Sequence, residues 1–269
     1  MTNPIVQQFD AAAVAARMKL AVYSSGMWRD TKQHKAETRA ENERHNTDAA
    51  KVLVKLTNNE NLKKLSSLHA AAYVEHRRLT MPTNEKGMRL LPAGREFEHA
   101  QRFAEFRDQH EKLVAAFLAE YDLERDMAPV RLNGLFDASM WPSHDKMAEK
   151  FKFQTRYLPC PTDGPWAEWL EESSRAARDE VFDRVKAALE RVRDRCKAEG
   201  PLYATVFENL RDLAGLLPDL DIDGSFAPVA AELGSLTGIQ AESIRDDKVG
   251  REGAAQRAAD ILSILGRVK

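Results

Sequence analysis

The chain has 269 residues, 43% apolar, 30% charged and only 7% aromatic, with a net charge of −2; this composition buries a core but favours long, charge-rich helices over a compact globule. No apolar run approaches the roughly 20 residues a membrane helix needs. Cys160 and Cys196 are the only cysteines, far apart and in no CxxC pair, so neither a disulfide framework nor a cysteine zinc site is suggested. The amino terminus MTNPIVQQFD lacks the basic-then-apolar pattern of a secretory signal. A soluble, cytoplasmic protein without a membrane partner is expected. Cations exceed acids over residues 1–158 and acids exceed cations over 159–269, which favours an anionic partner for the first part.

In chain order, KLAVYS near Lys19 reads as a strand. From Asp48 to about Leu79 the apolar spacing of Leu62, Leu65, Leu68, Ala72 and Leu79 predicts helix, with a turn at Asn58 and Asn59. The next stretch, RRLTMPTNEKGMRLLPAGR (residues 77–95), holds five cations, one acid, two prolines and two glycines. It reads as a protruding basic hairpin in which Arg77, Arg78, Lys86, Arg89 and Arg95, with Lys63 and Lys64 upstream, contact the phosphates of a nucleic acid. The competing reading is a solvated loop with Met88, Leu90 and Leu91 tucked into the core. No aromatic residue lies within the stretch to stack on a base.

Residues 96–121 form a predicted helix on which Phe103, Phe106, His110, Leu113, Phe117 and Tyr121 make nearly a heptad seam, with His110 as a polar residue fixing register. Val130 and Leu132, then Phe151, Phe153, Thr155 and Tyr157, alternate with polar residues as half-buried strands do. A long helix starts at Gly164-Pro165-Trp166 and runs to Glu199, with Val181, Val185, Ala188 and Val192 as its stripe. At about 50 Å it needs a partner helix, for which 96–121 is the candidate. Residues 201–269 read as a separate helical tail: a helix over 201–217, then two or three short ones, with Thr237 as a cap.

The fold class expected is therefore mainly α with a small β element (α+β): a long antiparallel helical hairpin of coiled-coil character, a small sheet at one end and a helical carboxy-terminal tail. The domains expected are 1–163, carrying the hairpin and sheet, and 164–269.

Phosphate-cradling glycine loops, HExxH and GxSxG are absent, and no acid–base pair is recognisable, so a non-enzymatic protein without a cofactor is expected. His69 and His76, two turns apart, read as solvated helix polar groups rather than metal ligands. Asp219, Asp221, Asp223 and Gly224 follow the D-x-D-x-D-G spacing of an EF-hand loop and form a weak Ca²⁺ candidate. The closing twelfth position is Ala230, not glutamate. The alternative is a helix connector capped by Asp223 or Ser225.

The run Leu79-Thr80-Met81-Pro82, then Gly87-x-Arg89-Leu90-Leu91-Pro92, the helix ending Phe117-x-x-x-Tyr121, Trp141-Pro142, and Phe151, Phe153, Pro159 and Pro161 together resemble an uncharacterised family of bacteriophages and bacterial mobile elements. The likeness covers residues 18–165 and departs from the family at Thr83, where relatives often carry an aromatic. The resemblance implies a domain of unknown function, in bacteria encoded beside a MoxR-type AAA+ ATPase and a von Willebrand factor A protein, in phages among early or DNA-metabolism genes. The function expected is a phage-type accessory protein of DNA metabolism that binds nucleic acid through the hairpin. The alternative is a helical adaptor that engages a protein partner, such as an AAA+ ATPase, or itself as a homo-oligomer, through helices 96–121 and 164–199.

Overall fold

A computed structural model describes residues 10–46 and 48–268; the amino-terminal stretch read above for a signal lies almost wholly outside them. In chain order the elements are α1 (Ala11–Arg17), β1 (Met18–Gly26), β2 (Thr31–Gln33), α2 (Lys35–His45), β3 (Leu53–Lys55), α3 (Glu60–Leu79), β4 (Met81–Pro82), β5 (Met88–Pro92), α4 (Glu96–Leu132), α5 (His144–Ala148), β6 (Lys152–Pro159), α6 (Pro165–Lys197), α7 (Thr205–Leu220), α8 (Ala227–Thr237), α9 (Ala241–Ile244) and α10 (Lys248–Leu265). Helix makes up 66% of the structure, so the protein is mainly α with a small β element. The larger sheet has the strand order β4-β5-β1-β6, and β2 pairs with β3 in a second. Among the described residues no helix is long and apolar enough to cross a membrane.

The chain forms two compact units. Each is assembled from separate segments: residues 1–21, 77–97 and 156–269 in the first, 22–76 and 98–155 in the second. The expected boundary at 163/164 is therefore corrected. The helices after residue 164 share one buried core with α1, the start of β1 and the 77–97 hairpin.

In the first unit α6 is the central rod. Gly164, at φ 55°, makes the turn that a side chain would strain, and Pro165 occupies the first helical turn, where its missing N–H costs nothing. Leu170, Ala177, Val181, Val185, Leu189, Val192 and Cys196 form its buried face. That face packs on α10 and α7, its partners within the unit. Ala254, Ala255 and Ala258 are buried on α10, and such small residues let two helix backbones approach closely. The expected tail is thus part of this core and not separate. Cys160 and Cys196 are buried thiols without a disulfide; burial pushes Cys160 up to about 11.

The carboxy-terminal end of α6 is closed by one side chain. The Arg251 guanidinium donates to the carbonyls of Arg195 (3.0 Å), Cys196 (3.2 Å), Ala198 (2.5 Å), Gly200 (3.1 Å) and Arg245 (3.2 Å). A helix leaves its last four carbonyls without intrahelical partners, and a cation there also meets the negative end of the helix dipole.

In the second unit the expected helix from Asp48 begins only at Glu60, because Leu53–Lys55 pairs with Thr31–Gln33 as a strand. Asn59, in the anticipated turn, caps α3: its Oδ1 accepts from the Asn61 (2.9 Å) and Leu62 (3.4 Å) amides. Its Nδ2 donates to Glu120 and Glu124 on α4, both at 2.8 Å. The strand expected at Val130 and Leu132 is instead the end of α4. Pro129 sits three residues from the end of this helix, where its missing N–H and the crowding of the carbonyl one turn back affect only the last turn, and buried Ala128 keeps that end on the core. Of the predicted seam, Phe103, His110, Phe117 and Tyr121 are buried and Phe106 and Leu113 partly so: Phe103 packs with Ala72 and Phe153, and Phe117 and Tyr121 with Trp28, Leu62, Leu65 and Trp141.

Replacing Arg251 by alanine is expected to destabilise the protein by about 2 kcal/mol, the scale of hydrogen bonds to a charged group, in urea denaturation. Arg251→Lys should restore less than half of this, since one ammonium cannot reach five carbonyls.

Candidate functional site: the basic hairpin and the histidine pairs

The hairpin is a β-ribbon in which Met81 pairs with Leu90 and Pro82 with Arg89. Gly87 turns it at φ 89°, a backbone conformation that favours glycine. The Thr83 hydroxyl accepts from the Glu85 amide (3.1 Å) and lies 3.0 Å from the Met88 carbonyl. Met81, Leu90 and Leu91 are fully buried in the first unit's core, and β4 lies on α6.

This packing decides where the cations go. Arg89, with its side chain only 14% exposed, donates to the Thr80 hydroxyl (2.7 Å), the Thr80 carbonyl (3.1 Å) and Glu180 Oε1 on α6 (3.1 Å). Arg184, one turn after Glu180, donates from Nε to the same oxygen at 3.0 Å and from Nη2 to the Thr80 carbonyl at 2.8 Å. Arg77 stands 3.6 Å from Glu180. Burial would raise the Glu180 carboxyl, but the Arg184 hydrogen bond and the charges of Arg184, Arg89 and Arg77 hold it below the usual range. Arg95 donates to Asp219 Oδ2 (2.5 Å) and to the Gly215 carbonyl (3.0 Å) on α7. At the turn, Asn84 donates to Glu172 (2.7 Å) and accepts from Ser173 (2.7 Å).

The expected projecting cationic finger is therefore corrected: Arg77, Arg89 and Arg95 face the protein's own carboxylates. Arg78 is half-buried and its carbonyl accepts from Arg184 at 3.3 Å. Lys86 is exposed at the turn. In the second unit Lys63 bonds Glu60 at 2.5 Å and Lys64 is exposed. The charge reading of the hairpin missed Glu180 and Asp219. Glu180 and Arg184 stand four apart on α6, the spacing of a helix ion pair.

The Asp219–Asp223 loop is a connector and not a converging cation shell. Asp219 faces Arg95, Asp221 accepts from the Phe226 amide (3.0 Å), and Asp223 accepts from the Ser225 amide (3.0 Å) with Arg178 at 3.6 Å. The Asp221 and Ile222 carbonyls accept from Arg17 at 3.0 and 2.8 Å, which ties the loop to α1. Among the described residues no group of three or more His, Cys, Asp or Glu could hold a metal ion.

Histidines form the most unusual chemistry of the second unit. His69 Nε2 lies 2.9 Å from His110 Nδ1, with the ring planes 21° from parallel, and His76 Nδ1 lies 2.9 Å from His99 Nε2. His69 and His76 are therefore not solvated polar groups, as the sequence suggested; each meets a histidine of α4. Phe103 stacks on His99 at 4.2 Å, while Tyr23 and Phe153 pack against the cluster. In a short N···N contact of this kind one ring donates and the other accepts, so the two rings cannot both be imidazolium without losing the bond. Burial pushes His99 down to about 4 against the pull of Glu75 and Glu98. Burial and the charge of His110 push His69 down to about 4, and burial lowers His110. A cavity of about 670 Å³, lined in part by Ser25, Asp30, Lys63 and Ser66, reaches the His69 ring. The heptad phase exposed His110 as a polar seam member; His99, one turn before Phe103, was missed because the phase was started too late.

No protein-family model matches the chain, and neither the curated proteins nor the solved structures contain a match.

Two outcomes follow from these networks. Glu180→Gln leaves Arg89 and Arg184 without their counter-charge and should cost about 3 kcal/mol, the low end for breaking a buried pair, read by urea denaturation. Because His99 and His69 bind protons more weakly folded than unfolded, stability is full above about pH 6.5 and falls as pH drops to about 4, by roughly 3 kcal/mol for His99 alone. Denaturation midpoints at pH 7 and 4.5 measure this, and His76→Phe/His99→Leu should flatten the profile.

Proposed function

We propose that the chain is a non-enzymatic helical adaptor that works by protein–protein contact, with α4 as the presenting element. One observation carries this reading. Away from its buried aromatic seam, α4 leaves Ala116, Ala119, Leu123, Met127 and Val130 exposed along one face, with Leu123 at 70%, Met127 at 54% and Val130 at 78%. Scattered exposed apolar residues need no explanation, but a contiguous row of them at helical spacing is the form a helix-docking surface takes.

Nucleic-acid contact through residues 77–95, the expectation from local charge, loses support from the ion pairs of Arg77, Arg89 and Arg95, which a phosphate would have to displace. The resemblance to phage and mobile-element proteins supplies a setting for an adaptor: an accessory role in a larger assembly, such as one built on an AAA+ ATPase.

A photo-crosslinking residue at position 123 or 130 is expected to give a protein adduct in cells, and one at Glu208, on an exposed face of α7, none. Labelled duplex and single-stranded DNA should show no saturable binding at about 50 mM salt. Absence of any adduct through α4, or DNA binding abolished by Lys86→Glu, would overturn the reading.

A further inference from the structure

Resting on the adaptor reading, we infer that the occupant of the exposed α4 face is a second copy of the same helix, antiparallel and centred on Leu123. The face has a symmetry that other occupants do not require. Ala116, Ala119, Leu123, Met127 and Val130 are separated by 3, 4, 4 and 3 residues, a pattern that reads the same in both directions about Leu123, with Ala116, Leu123 and Val130 each one heptad apart. An isologous two-fold contact needs this kind of self-complementary patch.

Residue sizes select the direction. With the two helices antiparallel, Ala116 faces Val130 of the copy, Ala119 faces Met127, and Leu123 faces itself, so every small residue meets a large one and the seam fills evenly. Parallel packing would set alanine on alanine at one end and Met127 and Val130 on their equals at the other, leaving a gap that close-packed interfaces do not tolerate.

Charges bordering the seam agree. Glu120 and Asp126 lie on opposite sides of the stripe by their 100° steps around the helix. The antiparallel two-fold sets Glu120 beside Met127 of the copy and Asp126 beside Ala119, so no carboxylate is placed against another. The Glu120 carboxylate is in addition turned back to Asn59 at 2.8 Å. The stripe from 116 to 130 is about 21 Å long, which makes a small interface and a concentration-dependent dimer, not a permanent one.

Sedimentation velocity from about 5 µM to about 0.5 mM should show monomer passing to dimer, with Leu123→Glu weakening association at least about tenfold. Geometry is read by disulfide trapping with oxidised glutathione, since both native thiols are buried. Leu123→Cys should cross-link to itself, Ala116→Cys alone should not, and an equal mixture of Ala116→Cys and Val130→Cys chains should give the mixed dimer. A chain monomeric throughout this range, or Ala116→Cys linking to itself while the mixture does not, overturns the inference. If the chain stays monomeric while the photo-crosslinker at 123 captures a different protein, the adaptor reading survives and the second-copy inference fails.

Discussion

A single carboxylate, Glu180, organises the first unit. It lies on the central helix α6 and gathers the guanidinium groups of Arg89 and Arg184 at hydrogen-bond distance, with Arg77 slightly farther. Arg89 and Arg184 also donate to the carbonyl of Thr80, which is fully buried where α3 ends and the ribbon begins. The ribbon can then lay Met81, Leu90 and Leu91 into the core without burying unpaired charge, the condition under which a buried ion pair is tolerated. Taken out of this geometry the same arginines are a basic patch; within it they are rivets. Charge counted along a chain measures potential only when the acids that fold onto it are counted too.

The second unit solves a related problem with neutral groups. Four histidines enter an aromatic cluster where carboxylates and ammonium groups would be costly to bury, and they satisfy one another in pairs. Burial holds His69, His99 and His110 below the usual histidine range, and the arrangement gives each ring a hydrogen bond. It also fixes the register of the two helices more sharply than apolar packing alone, because a slip of one residue would break both N···N contacts together.

Much of the architecture was legible in the sequence, and its failures share a cause. The seam from Phe103 to Tyr121, the start of α6 at Gly164-Pro165 and the strands at Met18–Gly26 and Lys152–Pro159 follow from spacing and local stereochemistry, which are properties of neighbours in the chain. What could not be read was which distant segment each face meets. Val130 and Leu132 looked like a strand because two alternating residues do not distinguish a period of 2 from the end of a helix. The 48–59 segment looked helical because its strand partner, Thr31–Gln33, lies far upstream. Asp219 and Arg95, 124 positions apart, form one ion pair, and from the sequence each was assigned to an external ligand, one to a metal ion and the other to a phosphate.

The interleaving of segments has a bearing on how the protein comes into being. The chain passes between its two units four times, at 21/22, 76/77, 97/98 and 155/156. A ribosome delivering it from the amino end completes the second unit's last segment near residue 155, while the opening strand and the basic ribbon still wait for α6 to emerge. During that interval the apolar side chains of Met81, Leu90 and Leu91 lack their cover, and the contacts that finally enclose them are long in sequence and hence slow to form. The nascent chain therefore carries its greatest risk of misassociation in the middle of translation, and a cut at any one peptide bond cannot divide it into two self-sufficient pieces.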